Sequence, residues 1–378
     1  MTSPLRILIA PDKFKGTLTG LEAAEAMAAG ASKELPSARI EQLPIADGGE
    51  GTVDAVVGAG GRPHSITVHG PCGDDMRARW VSTADWAVVE FASASGLQLL
   101  EPTSETALAA SSFGTGQMIR DALDHGYSRI AVGLGGSAST DGGTGALHAL
   151  GARFFDAGGN VVVPSGGTLT KIRSIDLGEL DTRLSEAEIV VCCDVESPMI
   201  GPDGAAAVYG PQKGATRSGV ATLEQGLANL AEVLRAATGR DPAAIGWGGA
   251  AGASAGGLYA VLGARYQSGF DTVAGFLDLD ARLGCADLVI VGEGKLDSQS
   301  LSGKAPIALA RRSQAMSVPV LAVAGVLDVS METLSQFGVR QAVSATEEAG
   351  SSPHALENPG HWVGQATRTA LRRHLASC

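Results

Sequence analysis

The amino-acid sequence predicts an α/β fold with two α/β domains. One is a doubly wound, Rossmann- or flavodoxin-like parallel sheet built from both chain ends, and the other is a mixed α/β domain inserted into it. Three observations predict this. Short apolar runs such as RILIA (residues 6–10) and DLVIV (287–291) are followed by glycine-rich loops and then by helical periodicity, the order of parallel βαβ units. That order is interrupted from about residue 65 by shorter, alternating strand patterns. At 378 residues the chain is also long for a single hydrophobic core. The expected division is residues 1–68 joined with 286–378 as the doubly wound domain and residues 69–285 as the insertion.

Composition narrows the function classes. A net charge of −12 argues against a nucleic-acid or anionic-membrane surface, either of which needs a basic face. The five cysteines, Cys72, Cys192, Cys193, Cys285 and Cys378, form no C-x-x-C and no zinc spacing with histidine, which suits a reducing cytosol. No run approaches the length of a membrane span, and the apolar stretch at residues 5–10 is too short for a secretory segment. A soluble, cytoplasmic enzyme is expected.

Along the chain, residues 6–10 read as a buried strand followed by the loop APDKFKGTLTG. Thr19 with Glu22 makes a capping box, predicting a helix from about residue 20 to 33. The unit repeats at residues 39–45, the loop ADGGEGT and a helix from residue 53. Asp47 and Glu50 there are suited to Mg²⁺, to taking a hydroxyl proton, or to capping that helix, and Gly48-Gly49 implies close approach by something other than side chains. Shorter strands are expected at 66–68, 76–81 and 87–91, and a helix at 117–125. The strand ending at residue 132 leads into GLGGSASTDGGTG (133–145), whose backbone N–H groups are suited to an anion. Gly133, Gly135 and Ala138 also satisfy a dinucleotide spacing, with Asp156 about twenty residues on, which keeps an NAD(P)-dependent oxidoreductase as an alternative.

The strand at 188–193 ends in Asp194. Lys213 follows, bracketed by Gly210 and Gly214, before a long helical pattern at 215–237. The small-residue run GWGGAAGASAGGL (246–258) reads as a helix able to pack very close to a neighbour. Its G-x-S-x-G at 252–256 has no preceding strand, so Ser254 is not read as a nucleophile. Regular β/α alternation returns with a strand at 287–291, the loop GEGKLDSQSLSGK, a helix at 305–313, a strand at 319–324 and a terminal helix at 362–375.

Acids and lysines recur at these loops: Asp12, Asp47, Asp141, Asp194 and Asp297, with Lys15, Lys213 and Lys304. Phosphoryl transfer needs a metal held by oxygens, cations on the moving phosphate and a base for the attacking hydroxyl, and all three inventories are present. The P-loop and protein-kinase signatures are absent.

The motifs APDKFKGTL, PIADGGEGT, GGSASTDGG, CDVESP, GPQKGA and GEGKLDSQSLSGK, in that order, resemble the class I glycerate kinases, the bacterial glycerate 2-kinase family. The resemblance implies transfer of the ATP γ-phosphate to D-glycerate with Mg²⁺, giving 2-phosphoglycerate; 3-phosphorylation is a minor alternative and a non-catalytic ligand sensor another. It also implies an active site in the cleft between the two domains, and it allows a homodimer. Ser139-Thr140, Ser197 and Gly325-Val326 depart from the family's usual Thr-Asn, Asn and Gly-Ser. On residue chemistry, Asp194 is the first candidate for general base and Asp47 the second, on the expectation that burial raises their pKa. Lys15 and Lys213 are assigned to the transferring phosphoryl group. Substrate or phosphate contacts are assigned to Asp12, Gly48, Gly49, Glu50, Gly135, Gly136, Ser137, Asp141, Gly292, Gly294 and Lys304, and Mg²⁺ to Asp297 and Glu293.

Overall fold

A computed structural model describes residues 4–194 and 196–377, apart from the side chain of Ser302. In chain order the strands are β1 (Arg6–Pro11), β2 (Arg39–Gln42), β3 (Arg62–His69), β4 (Asp75–Ser82), β5 (Ala87–Glu90), β6 (Arg129–Gly133) and β7 (Arg153–Phe155). They continue with β8 (Ser174–Asp176), β9 (Glu188–Cys192), β10 (Arg265–Gln267), β11 (Leu288–Leu296), β12 (Val320–Leu327) and β13 (Val339–Ser344). The chain divides into two compact units. The first holds the chain up to Asp47, Asp54–Gly60 and the chain from Phe270 onward; the second holds Gly48–Val53 and Gly61–Gly269.

In the first unit a five-stranded sheet runs β13-β12-β11-β1-β2, parallel throughout. Counted within the unit this is the 2-1-3-4-5 order of flavodoxin-like folds, whose switch point lies between β1 and β11. Both faces of the sheet are covered, so β1 is a continuous apolar run rather than an alternating one. Leu8 and Ala10 join one core with Val289 and Val291, while Ile7 and Ile9 join the other with Leu288 and Ile290. The second core is closed by the helices Gly20–Glu34 and Pro359–Leu375, which contribute Met27 and Val363. A Cβ at Gly30 would collide with the carbonyl of Gly364, so glycine sets the distance between these helices. The capping box of Thr19 and Glu22 is formed in full.

Two expectations are corrected here. The helices Gly269–Phe276 and Leu279–Cys285 bury Phe270, Val273, Leu279 and Leu283 in the core that holds Leu8, so the later boundary falls at Gly269/Phe270 instead of 286. The earlier one falls at Gly60/Gly61, before β3, instead of 68. Strand β11 runs on to Leu296, so Glu293 and Gly294 belong to a strand and not to a loop. The cause is β12, which keeps pairing through Leu296↔Leu327 after β1 has left the sheet at Pro11↔Gly292.

The second unit has a six-stranded mixed sheet, β10-β9-β6-β5-β4-β3, parallel from β10 to β5 and antiparallel at β4 and β3. Its core gathers Trp80, Phe91, Met118, Ile130, Leu147 and Phe154, all fully buried. The helix Arg217–Thr238, capped by Thr216, adds Leu223, Leu227, Leu230 and Leu234 along one face. The small-residue run forms the helix Ala250–Leu262, entered through left-handed backbone at Ala251, Gly252 and Ala253. Close approach explains its composition. A Cβ at Gly252 would strike the carbonyl of Ser139, and one at Gly257 the carbonyl of Gly142.

Candidate active site

The first unit gathers one set of predicted residues. A cavity of about 470 Å³ opens at the carboxyl ends of β1, β11 and β12, where parallel α/β sheets bind ligands. Asp12, Lys15, Asp47, Glu293, Gly294, Asp297 and Lys304 all line it. Asp12 directly follows β1, and its N–H donates to the Gly292 carbonyl at 2.8 Å, which carries the loop over the end of β11. Lys13, in the same loop as Asp12 and Lys15, lines the cavity too, as does Lys295, which was not anticipated and adjoins Gly294.

The electrostatics of this set are set by burial and crowding. Asp12 is 7% exposed, and its carboxyl is pushed up to about 7 by burial, helped by the negative charges of Asp47 and Glu293 and opposed by Lys13. Glu293 is likewise raised by burial, with Ser300 and Lys304 pulling the other way. Its Oε2 lies 3.6 Å from Lys304 Nζ, while its Oε1 is buried without a hydrogen-bond partner. Burial also pushes Asp297 up, but the Ser300 and Gln299 amides with Lys304 and Lys295 outweigh it and hold the carboxyl below its ordinary value. Among the described residues no group of three or more His, Cys, Asp or Glu is arranged to hold a metal. Mg²⁺ needs only one or two carboxylates, with phosphate oxygens and water completing its shell, and the orphaned Oε1 of Glu293 suits that.

Gly292 does not line the cavity. A Cβ there would meet Met27 and Val323, and one at Gly294 would lie 3.0 Å from the Lys15 backbone N. Both glycines therefore admit neighbouring protein, and of the two only Gly294 also lines the cavity.

The second unit gathers the other set around Lys213, which is 2% exposed on a tight turn at Pro211–Lys213. Its Nζ donates to Ser137 Oγ at 2.9 Å and to the Ser139 carbonyl at 2.7 Å. Burial pulls its pKa down to about 7, with the negative charge of Asp141 acting against that shift. Asp141 is fully buried, and its oxygens accept from Ser112 N and Oγ, Gly143 N and Gly145 N at 2.7–3.1 Å. These bonds tie the two loops and the start of the following helix together, a scaffolding role. Three fully buried hydroxyls that the sequence reading gave no binding role, Ser139 Oγ, Thr140 Oγ1 and Ser254 Oγ, have no hydrogen-bond partner. The only signal at Ser254 was the G-x-S-x-G spacing, which had been read against a different chemistry.

The remaining glycines also serve packing. A Cβ at Gly135 would lie 2.5 Å from Gly49 Cα, and one at Gly48 would lie 3.1 Å from the Cys192 carbonyl. Gly136, at a φ of 74°, carries the turn in which its carbonyl accepts from Leu97 N. Glu50 is half-buried, and the neighbouring Gly51 and Val53 amides donate to Glu90, 5% exposed, a partner no local pattern marks. Asp194 is exposed, with Oδ1 accepting from Ser268 Oγ and Gly269 N at 2.9 Å. The burial argument that made it first choice as base does not hold.

The dinucleotide reading fails on geometry. The helix after β6 starts only at Thr144 and ends at Ala149, well past Ala138, and Asp156 is occupied by its own turn with Gly158 and Asn160. The cysteines form no disulfide among the described residues; Cys378 lies outside them. No helix of the described residues is long and apolar enough to cross a membrane.

Comparison with known proteins resolves the reaction class. The model of the glycerate kinase family matches residues 7–375. The chain belongs to the glycerate kinase family. It is 40% identical over 367 residues to a glycerate kinase of Bacillus subtilis strain 168, covering 96% of each chain. It is 38% identical, again with 96% of each covered, to a protein of Escherichia coli K12 named glycerate 2-kinase. A crystal structure described as glycerate kinase 2 from Salmonella typhimurium LT2 superposes with a TM-score of 0.84 at 40% identity, covering 99% of each chain. Membership of the glycerate kinase family makes the chain an enzyme acting on a small molecule, and the resemblance carried by the six motifs is borne out.

Proposed function

We propose that the chain transfers the γ-phosphate of ATP to the 2-hydroxyl of D-glycerate, with Mg²⁺, giving 2-phosphoglycerate. The observation that carries this reading is the cavity at the β1/β11 switch point, lined by carboxylates and lysines together. Lys15 and Lys304 there offset phosphate charge, and Lys213 in the second unit, held by Ser137 and Ser139, supplies a further buried cation. In the transfer, the hydroxyl proton passes to a carboxylate, the hydroxyl oxygen bonds to the γ-phosphorus, and the bond to the bridging oxygen of ADP breaks. Asp194 and Asp47 are the candidate bases. Glu293 and Asp12 would hold Mg²⁺ and Asp297 would stand beside them; when bound the ion supplies charge neutralisation for the triphosphate. Phosphorylation at position 2 is supported by the name of the E. coli relative. The test is ATP plus D-glycerate coupled through enolase without a mutase. Signal requires 2-phosphoglycerate; product that appears only after mutase is added means 3-phosphorylation.

A further inference from the structure

We infer that the cavity of the first unit seats a nucleoside triphosphate, with its phosphates at the end bearing Lys15, Lys304 and Glu293 and its base and sugar at the opposite, aliphatic end. The inference deepens the phosphotransfer reading above and rests on it. It divides the two substrates by assigning the nucleotide to one named set of residues.

The cavity has two chemical faces. Its acidic and basic side chains come from the loops after β1 and β2 and from the end of β11 with the loop that follows it, whereas Val326, Ala345, Ala355, Leu356 and Val363 supply an aliphatic wall. Leu356 is 61% exposed and Val326 is 39% exposed, two large apolar side chains left facing water in the same cavity. Apolar surface left exposed in a concave site marks something that covers it. Glycerate, a three-carbon acid with an oxygen on every carbon, has no apolar surface for that purpose. A nucleobase does. The volume of about 470 Å³ lies within the usual span of small-ligand pockets and far exceeds what so small an acid fills.

Two independent features place the phosphates. Lys15 and Lys304 put cationic side chains in the cavity's lining for an anion, whereas the helix Ala305–Ala315 adds little, since Pro306 has no N–H and the Ile307 and Ala308 amides donate to the Lys304 carbonyl. Glu293, 5% exposed, keeps a partnerless Oε1 in the same cavity, as a ligand of a phosphate-bound cation would. The surroundings of Lys213 are of the opposite kind. That lysine is almost wholly enclosed, and the partnerless hydroxyls of Ser139, Thr140 and Ser254 on the elements around it are fully buried and polar, which suits a small hydroxy acid better than a base.

The test uses two variants at exposed lining positions, Leu356→Glu, which puts charge on the aliphatic wall, and Ser352→Trp, which fills it. Binding of N-methylanthraniloyl-ATP is titrated by fluorescence on the intact protein, and KM is measured separately for ATP and D-glycerate. The expected result is a loss of about tenfold or more in nucleotide affinity and the same rise in KM for ATP, with KM for glycerate unchanged. Unchanged nucleotide binding in both variants, or a rise confined to KM for glycerate, overturns the assignment. A wild-type protein that binds the nucleotide through this wall but forms no phosphoglycerate defeats the phosphotransfer reading and leaves the nucleotide seat standing. Circular dichroism of both variants establishes that they are folded.

Discussion

The ammonium of Lys213 lies 2.9 Å from the hydroxyl of Ser137, joining two loops 76 residues apart in the chain. It does so where the lysine is almost fully removed from water, so the pair's geometry is bought with a buried charge. Among the described residues the charge has two hydrogen-bond partners, the Ser137 hydroxyl and the Ser139 carbonyl. A third position on an ammonium is the natural place for an anionic oxygen.

The first prediction concerns this lysine. Its folded-state pKa of about 7, against an ordinary 10.5, means that between those values the unfolded chain holds a proton that the folded one sheds. Stability therefore rises with pH across that window: the cost of the buried charge is fully present below about pH 7 and relieved toward 10.5. Lys213→Met is expected to show its largest gain in Tm over wild type near pH 6, shrinking steadily by pH 10. Turnover should fall by about 10²-fold or more. Thermal denaturation across pH at constant ionic strength checks the first part, and initial rates the second.

Asp12 carries the opposite sign. Its carboxyl, raised to about 7 from 3.8, keeps a proton in the folded state that the unfolded chain has lost, so stability at this position falls as pH rises through that interval. Asp12→Asn should stabilise the ligand-free protein at pH 8 and bring no advantage at pH 4. Millimolar Mg²⁺ should raise the Tm of wild type at pH 8 more than that of Asp12→Asn, because a cation relieves the crowding of Asp12 with Asp47 and Glu293.

The identity of the base is decided by paired substitutions. Replacing the true base with its amide should lower kcat by about 10²–10⁴-fold with little change in KM. Asp194→Asn and Asp47→Asn are measured side by side. If both turn over at nearly the wild-type rate while folded, neither is the base.

Glycine roles are testable without activity. Gly257→Ala drives a methyl into the carbonyl of Gly142 and should cost about 1–3 kcal/mol. Gly58→Ala, at an exposed helical site with nothing within 4 Å of the added methyl, should instead stabilise by about 0.5–1 kcal/mol. Chemical denaturation midpoints distinguish the two.

Asp141→Asn offers a further check on its scaffolding role. The amide turns an NH₂ toward donors from Ser112, Gly143 or Gly145, and a loss of about 2–4 kcal/mol is expected. A protein that loses turnover but keeps its stability would return Asp141 to the ligand.

Much of the fold was legible because its signals are local. The run RILIA, the capping box of Thr19 and Glu22, and the helical pattern after Thr216 all encode their elements within a few residues. The full length of β11 was not, because its last residues are strand only through their pairing with β12. The domain boundaries moved for a related reason: Phe270 and Leu279 read as ordinary helix residues, and only the core they join assigns them. At the site, most of the acids and lysines named from the loops line the first unit's cavity or surround Lys213. Their individual roles were less legible. Asp141 is bound by Ser112, 29 residues earlier, and Gly51 by Glu90, 39 residues later.

By itself, then, the sequence determined the doubly wound class, the succession of strand, glycine-rich loop and helix, and the family, since each is written in residue order. Tertiary structure alone decided that Asp12 is buried and Asp194 exposed, that a Cβ at Gly135 would meet the backbone of Gly49, and that aliphatic side chains from near the chain's end wall the same cavity as Asp12. The physical reason is that desolvation and close contact depend on neighbours brought together by folding, and those neighbours lie far away along the chain.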